Sequence, residues 1–231
     1  MEIFGFDIET IPCQIIPAEC LPQFDPGSVA HGNTTDPAKR KTKELREREK
    51  FNNTITKKMS ISPDLCQLCT FAGIRFDTET DEALETVAIQ VTDDDLEAVA
   101  DGWEAIQQMY LKRTPIVTFN GRGFDFPVML HRAMLQDVVV DPAVYRNLTP
   151  RYGGPYHYDL MEILADYDKN RWRSMDFYLK LFGIGAKTDG MDGSKVYDTW
   201  MNGHFDQIKS YCIDDVLSTC RLFARVQPWI V

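Results

Sequence analysis

No stretch of eighteen consecutive apolar residues occurs in the 231-residue chain, which excludes a membrane-spanning helix. The first residues also lack the basic-then-apolar order of a secretory signal, so the expected location is the cytoplasm. The six cysteines, Cys13, Cys20, Cys66, Cys69, Cys212 and Cys220, form no compact framework, so reduced thiols are expected. Cys66-x-x-Cys69 is the one spacing that suggests zinc. It lies in an apolar, strand-like run, where an offset of three sends the sulfurs to opposite faces and argues against a knuckle with Cys13 and Cys20. An excess of positive charge is missing too, and a net charge of -10 argues against holding a polyanion by bulk attraction. There is no internal repeat, and no side chain looks like a nucleophile paired with its base.

What is present suffices for one domain with an insertion over about residues 13–63, because 44 % hydrophobic residues supply a sizeable core. Met1 to Glu9 alternates as a strand, with Phe4, Phe6 and Ile8 on one face and Ile3, Gly5, Asp7 and Glu9 on the other. A proline-rich loop follows from Cys13 to Gly32. Asp36-Pro37 then opens a helix to about Lys58. Over Lys39 to Lys58 nine basic residues face three acidic ones, a local +6 that leaves -16 on the remainder. This segment is tethered directly after the first strand.

Leu65 to Phe76 and Leu84 to Val91 read as two more strands, joined by a polar turn and antiparallel with the first. A helix from Thr92–Asp95 to about Arg113 turns Leu96, Val99, Trp103, Ile106 and Tyr110 to the core. Pro115 to Phe119 is a short buried strand, followed by the Asn120-Gly-Arg-Gly123 turn and a helix from about Phe126. Asp137 to Pro155 reads as irregular, Asp159 to Ala165 and Ser174 to Phe182 as short helices, and Gly183 to Gly193 as a glycine-rich loop. The last helix runs from about Phe205 to Val226, with Pro228 as its stop. The order βββαβα, followed by further helices, is that of an α/β layer.

Acids in apolar settings carry the chemistry. Asp7 and Glu9 share one face of a strand apolar enough to be buried, about 7 Å apart, a spacing that calls for a cation between them or for nearby solvent. Asp215 lies inside the apolar stripe of the last helix (Phe205, Ile208, Cys212, Val216, Leu222, Phe223, Val226), with Tyr211 one turn before it. A buried charge there needs a partner, either the same cation or an Arg or Lys. Asp125 ends the turn before Phe126-Pro127, where a helix cap accounts for it and a metal role is also open. Four carboxylates from separate elements suit Mg²⁺ or Mn²⁺.

Phe6-Asp-Ile-Glu-Thr10, Phe119-Asn-Gly-x-x-Phe-Asp-x-Pro127 and Tyr211-x-x-x-Asp215 together resemble the three exonuclease motifs of the DEDD superfamily, tyrosine subgroup. They are most similar to predicted 3'-5' exonucleases related to the proofreading domain of family B DNA polymerases, many of them encoded by phages. The resemblance extends to His157-Tyr-Asp-Leu160, Ser174-Met-Asp-Phe177 and Asp192-Gly-Ser194. It implies an RNase H-like fold and a DNA 3' end as substrate. It further implies two divalent ions: Asp7, Glu9 and Asp215 would hold one, and Asp7 would bridge to a second held by Asp125. Tyr211 would orient the attacking water. Thr10, Asn120 and Phe124 would meet the terminal nucleotides. Asp159 and Glu162 match supporting positions, whereas His204 does not stand where the histidine subgroup places its base.

Two other functions compete. A non-catalytic nucleic-acid-binding module would have lost one of the four acids, and none is lost. RNA 3'-end trimming uses the same metal chemistry, but no separate RNA-binding domain is visible, which favours DNA, expected as a single strand, or a substrate supplied by a partner. A replication or recombination protein is the expected kind of partner.

Overall fold

In the computed structural model, residues 1–152, 156–185 and 191–231 are described. A five-stranded mixed sheet has the order β3-β2-β1-β4-β5. It is built from β1 (Glu2–Pro12), β2 (Cys66–Asp77), β3 (Glu82–Gln90), β4 (Ile116–Thr118) and β5 (His157–Asp159). β1, β2 and β3 are antiparallel as expected, while β4 runs parallel to both β1 and β5. The helices are α1 (Pro37–Ser60), α2 (Leu96–Leu111), α3 (Asp125–Leu135), α4 (Pro142–Leu148), α5 (Leu160–Leu164), α6 (Met175–Phe182), α7 (Val196–Met201) and α8 (Phe205–Ile230). Their arrangement on the sheet makes an α/β fold of RNase H-like type, with α1 inserted after the first strand.

β1 sorts the core, because its alternation is buried on both faces. Phe4, Phe6 and Ile8 pack with Val99 and Trp103 of α2 and Phe126 and Met129 of α3, whereas Ile3 faces Cys212, Val216 and Cys220 of α8. Gly5 lets α8 lie close on the strand: a Cβ there would stand 2.5 Å from the Cys220 sulfur. A buried ion pair ties the other layer together. Arg132 of α3 grips Asp95, which also accepts from the Leu68 amide of β2 at 2.8 Å.

Several expectations are corrected. β5 is a strand where only a helix was expected, since Asp159 ends it and caps α5 from the same position. The stretch read as irregular contains α4, opened by Asp141 capping and Pro142 in the first turn. α7 was not anticipated. Pro228 does not stop the last helix, which continues to Ile230 with Val231 N–H donating to the Gln227 carbonyl at 3.1 Å. So near the end, the proline removes only one bond of the ladder. Leu96 is exposed at the first turn of α2, where Ala98, Gly102 and Met109 are buried instead. Cys66 and Cys69 do lie in different core clusters, and all six cysteines are free. The expected glycine-rich loop falls partly outside the described residues.

Candidate active site

β4 is short, and its brevity opens the site. It pairs with β1 only at Phe4 and Gly5 and ends at Thr118, so β1 runs on beyond it toward Glu9 with one side unpaired by a strand. The Ile8 amide on that side donates to Asp125 Oδ1 at 3.2 Å. Across the other edge, the register with β2 shifts between Glu9 and Thr10. This bulge falls immediately after the second acid, and bulges re-aim side chains at such places.

Asp7 and Glu9 project toward α8, and Asp215 meets them there. One carboxylate oxygen from each of the three lies within 4.8 Å of the others, the one such cluster among the described residues. Asp215 is buried at 7 % exposure, while Asp7 and Glu9 are half-buried. Three carboxylates this close form a hard-oxygen donor set fitted to a divalent cation. Their combined charge is felt by the groups beneath. The Cys212 thiol, 3.5 Å from the Asp7 carbonyl, is pushed well up by burial and by the Asp7, Glu9 and Asp215 charges, so it stays protonated. Tyr211 hydrogen-bonds Asp215, and burial, then the Asp215 and Glu9 charges, drive its phenol upward as well. Before any cation binds, it is a neutral hydroxyl.

Asp125 stands beside this cluster, not inside it. It is the first residue of α3, and the cap position belongs to Phe124, so the cap reading does not hold. Its carboxyl is hydrogen-bonded to Asp7, and burial lifts it to about 7. That carboxyl therefore holds its proton well above the usual carboxylate range when no cation is bound.

The remaining predicted residues fall into two places. Glu9, Thr10 and Phe124 line one cleft of about 480 Å³, together with Asn53, Lys57 and Ser60 of α1 and with Ser194, Tyr197 and Asp198. Thr10 is fixed there by donating its hydroxyl to the Ser60 carbonyl. Asn120 does not line the cleft. It sits at the head of the tight turn with φ +72°, a conformation asparagine tolerates. Its carbonyl accepts from Gly123 and Phe124. Gly121 is required by a close approach, since a Cβ would lie 2.4 Å from Thr118 Oγ1.

Asp159 is what holds this turn. Its two oxygens accept from the Asn120 and Arg122 amides at 3.0 and 2.9 Å, in addition to capping α5. Burial raises its carboxyl, and those two backbone donors oppose the rise. Below the turn, the Gly121 amide donates to the Thr118 hydroxyl, Thr118 to His157 Nε2 at 2.8 Å, and His157 Nδ1–H to the Leu148 carbonyl at 2.7 Å. Burial and the Arg122 charge push His157 down to about 3, so the ring is neutral. Glu162 takes Arg122 and Arg151 in ion pairs. Asn53 and Ser60 of α1, and Tyr197 and Asp198, were not singled out from the sequence, whereas Lys57 belongs to the basic segment and Ser194 to the resemblance. For α1, the recurrence of Lys and Arg at three- and four-residue spacing was a readable signal.

Over residues 61–229 the chain matches the family described as predicted 3'-5' exonuclease related to the exonuclease domain of PolB. The chain belongs to that family of exonucleases. Within the matched span lie the Asn120–Asp125 turn and the Tyr211–Asp215 pair, while Asp7 and Glu9 precede it. Among solved structures, the chain is similar to the family B DNA polymerase of Pyrobaculum calidifontis, with 18 % identity and a TM-score of 0.62 over 99 % of this chain and 25 % of that one. This likeness shows a shared fold. It is also similar to E. coli exonuclease I in a zinc-bound complex with single-stranded DNA, with 12 % identity and a TM-score of 0.45 over 99 % of this chain and 41 % of that one. The chain thus spans a quarter of the polymerase and about two fifths of exonuclease I. No curated protein matches it. Among the described residues, no helix is long and apolar enough to cross a membrane.

Proposed function

We propose that this exonuclease hydrolyses the terminal phosphodiester at a free, single-stranded 3' end of DNA, releasing nucleoside monophosphates, with two divalent ions, Mg²⁺ or Mn²⁺. The observation that carries this is the convergence of Asp7, Glu9 and Asp215 within 4.8 Å, with Asp125 hydrogen-bonded to Asp7 beside them. Asp7, Glu9 and Asp215 would hold one ion, and Asp7 with Asp125 the second. When bound, such ions make water a usable nucleophile at neutral pH and offset charge on the reacting phosphate.

The chain's own groups do the positioning. Tyr211, kept neutral and anchored on Asp215, orients the attacking water by hydrogen bonding and takes no proton. Phe124 offers a ring in the cleft for stacking on the terminal base, Thr10 presents its backbone to the 3'-hydroxyl, and Asn120 hydrogen-bonds a terminal nucleotide. The turn that carries Asn120 and Phe124 is set by Asp159, so Asp159 acts through position alone. We take the whole chain as one exonuclease domain with its insertion at about 13–63. It would act in the cytoplasm, for a gene of phage origin that of the infected host, beside a replication or recombination protein.

Digestion of 5'-labelled single-stranded DNA and RNA of one sequence, with Mg²⁺ and with excess EDTA, tests this. A ladder shortening from the 3' end of DNA, abolished by EDTA, is expected. EDTA-resistant digestion overturns the metal mechanism, and faster digestion of RNA replaces the DNA assignment with 3'-end trimming.

A further inference from the structure

The helix α1 precedes the residues matched to the family and carries a pattern that the catalytic acids do not explain. Lys39, Lys43, Arg46, Lys50, Asn53 and Lys57 follow one another at intervals of four, three, four, three and four. At 3.6 residues per turn these positions form a single longitudinal stripe. All six are exposed. None of the helix's acids, Glu44, Glu47 or Glu49, falls in the stripe. Met59, buried on the opposite side, and the half-buried Phe51 and Ile55 turn inward, and Phe51 packs on Phe24 at 5.9 Å. The stripe spans about 27 Å from Lys39 to Lys57.

Its inner end is at the site. Asn53, Lys57 and Ser60 line the cleft that Glu9, Thr10 and Phe124 also line. The outer cations are only lightly engaged: Lys43 donates to the Ala30 carbonyl, and Lys50 pairs with Glu47 at 2.7 Å. Exposed contacts of this sort exchange readily for a stronger anion.

We propose that this stripe binds the sugar-phosphate backbone of single-stranded DNA upstream of the 3' end held in the cleft. The inference rests on the proposed 3'-end hydrolysis for the direction in which the strand lies. Charge complementarity carries it. Outside residues 39–58 the molecule bears a net -16 and its active site is made of carboxylates, so the overall field opposes a polyanion, and the face that leads into the cleft is where that field is locally reversed. Lysines at helical spacing read phosphates as point charges and carry no base preference.

The test is the quadruple variant Lys39→Gln, Lys43→Gln, Arg46→Gln, Lys50→Gln, which leaves the cleft-lining Lys57 and every acid in place. Glutamine matches lysine and arginine in helix propensity, and an unchanged circular dichroism spectrum verifies the fold. On a strand of about twenty nucleotides the KM should rise about tenfold or more at 0.1 M salt, and the slope of log KM against log salt should fall by up to about 3, at roughly 0.7 per lost phosphate contact. On a trinucleotide, too short to reach the stripe, KM and kcat should match wild type. Equal KM and salt slope on the long strand overturn the proposal, as does an equal change on both substrates. Fluorescence anisotropy of the same labelled strand in EDTA reads binding without turnover. Should wild type bind the strand more tightly than the variant in EDTA yet release no nucleotide once Mg²⁺ or Mn²⁺ is supplied, 3'-end hydrolysis fails and the track stands; equal binding removes the track. Tighter dependence on the stripe for RNA than for DNA also overturns the assignment to DNA.

Discussion

Replacing Asp215 by asparagine should stabilise the protein in EDTA and reverse its rank once a divalent ion is added. The oxygens of Asp7, Glu9 and Asp215 lie within 4.8 Å of one another. At that distance two like charges repel by about 0.9 kcal/mol in water and about 3.5 kcal/mol at an effective dielectric constant of 20. Asp215→Asn removes two of the three repulsions, and its amide can donate to Asp7 or Glu9 while its oxygen still accepts from Tyr211. Asp7 and Glu9 are half-exposed, so solvent screening favours the lower end of that range, for a net gain of about 2 kcal/mol, or about 4 to 8 °C in Tm for a chain of this size. With the ion present the sign changes. Wild type gains about 2.7 kcal/mol at a ligand concentration a hundred times Kd, and the variant, short of one charged ligand, gains far less. Differential scanning fluorimetry in EDTA and in Mg²⁺ or Mn²⁺ reads both arms. A variant melting below wild type in EDTA would refute the electrostatic reasoning, and a wild-type Tm indifferent to either ion would refute the cation site.

Tyr211→Phe should slow nucleotide release by tens-fold to a few hundred-fold, against several thousand-fold for Asp215→Ala, because one loses a hydrogen bond and the other a charged ligand; equal losses in single-turnover assays would give Tyr211 a larger part than orientation. Asp159→Ala leaves the Asn120 and Arg122 amides without their acceptor and should cost about 2 to 4 kcal/mol in urea unfolding while raising KM more than it lowers kcat; an unchanged KM would detach the turn from substrate binding. His157 is held near 3, below its unfolded value of 6.5. Its contribution is therefore full above pH 6.5 and is lost as pH falls from there toward 3, at about 1.4 kcal/mol per pH unit. His157→Gln, which can still bond Thr118 and Leu148, should flatten the stability-pH curve in that window, and superimposable slopes would count against a buried neutral ring.

Long elements with a strong period were legible. The alternation of β1, the stripe of α8 with Asp215 inside it, and the Asp36-Pro37 start of α1 all stand where the pattern placed them. Short elements were not, because three residues cannot display a period. β5 exists through its pairing with β4, Ile116 opposite His157 and Thr118 opposite Asp159, and such a partner is invisible to local reading. α4 repeats the Asp-Pro opening of α1 at Asp141-Pro142, but seven residues of helix offered too little amphipathic pattern to separate it from loop. In the site, the shared face of Asp7 and Glu9 was readable from the period of two. That Asp125 binds the Ile8 amide instead of capping α3 was not, since it depends on where β4 stops.

Two of the clustered acids come from β1 and the third from α8, more than two hundred residues further along the chain. During synthesis the first strand leaves the ribosome long before that helix exists, and a chain lacking α8 has no third carboxylate to gather an ion. On the proposed assignment of these three acids, a nascent or prematurely ended polypeptide should be inert toward nucleic acids, and competence to cut would arrive together with the last helix docking across Gly5. If the proposed site is the working one, chain order itself would act as a completion check on it.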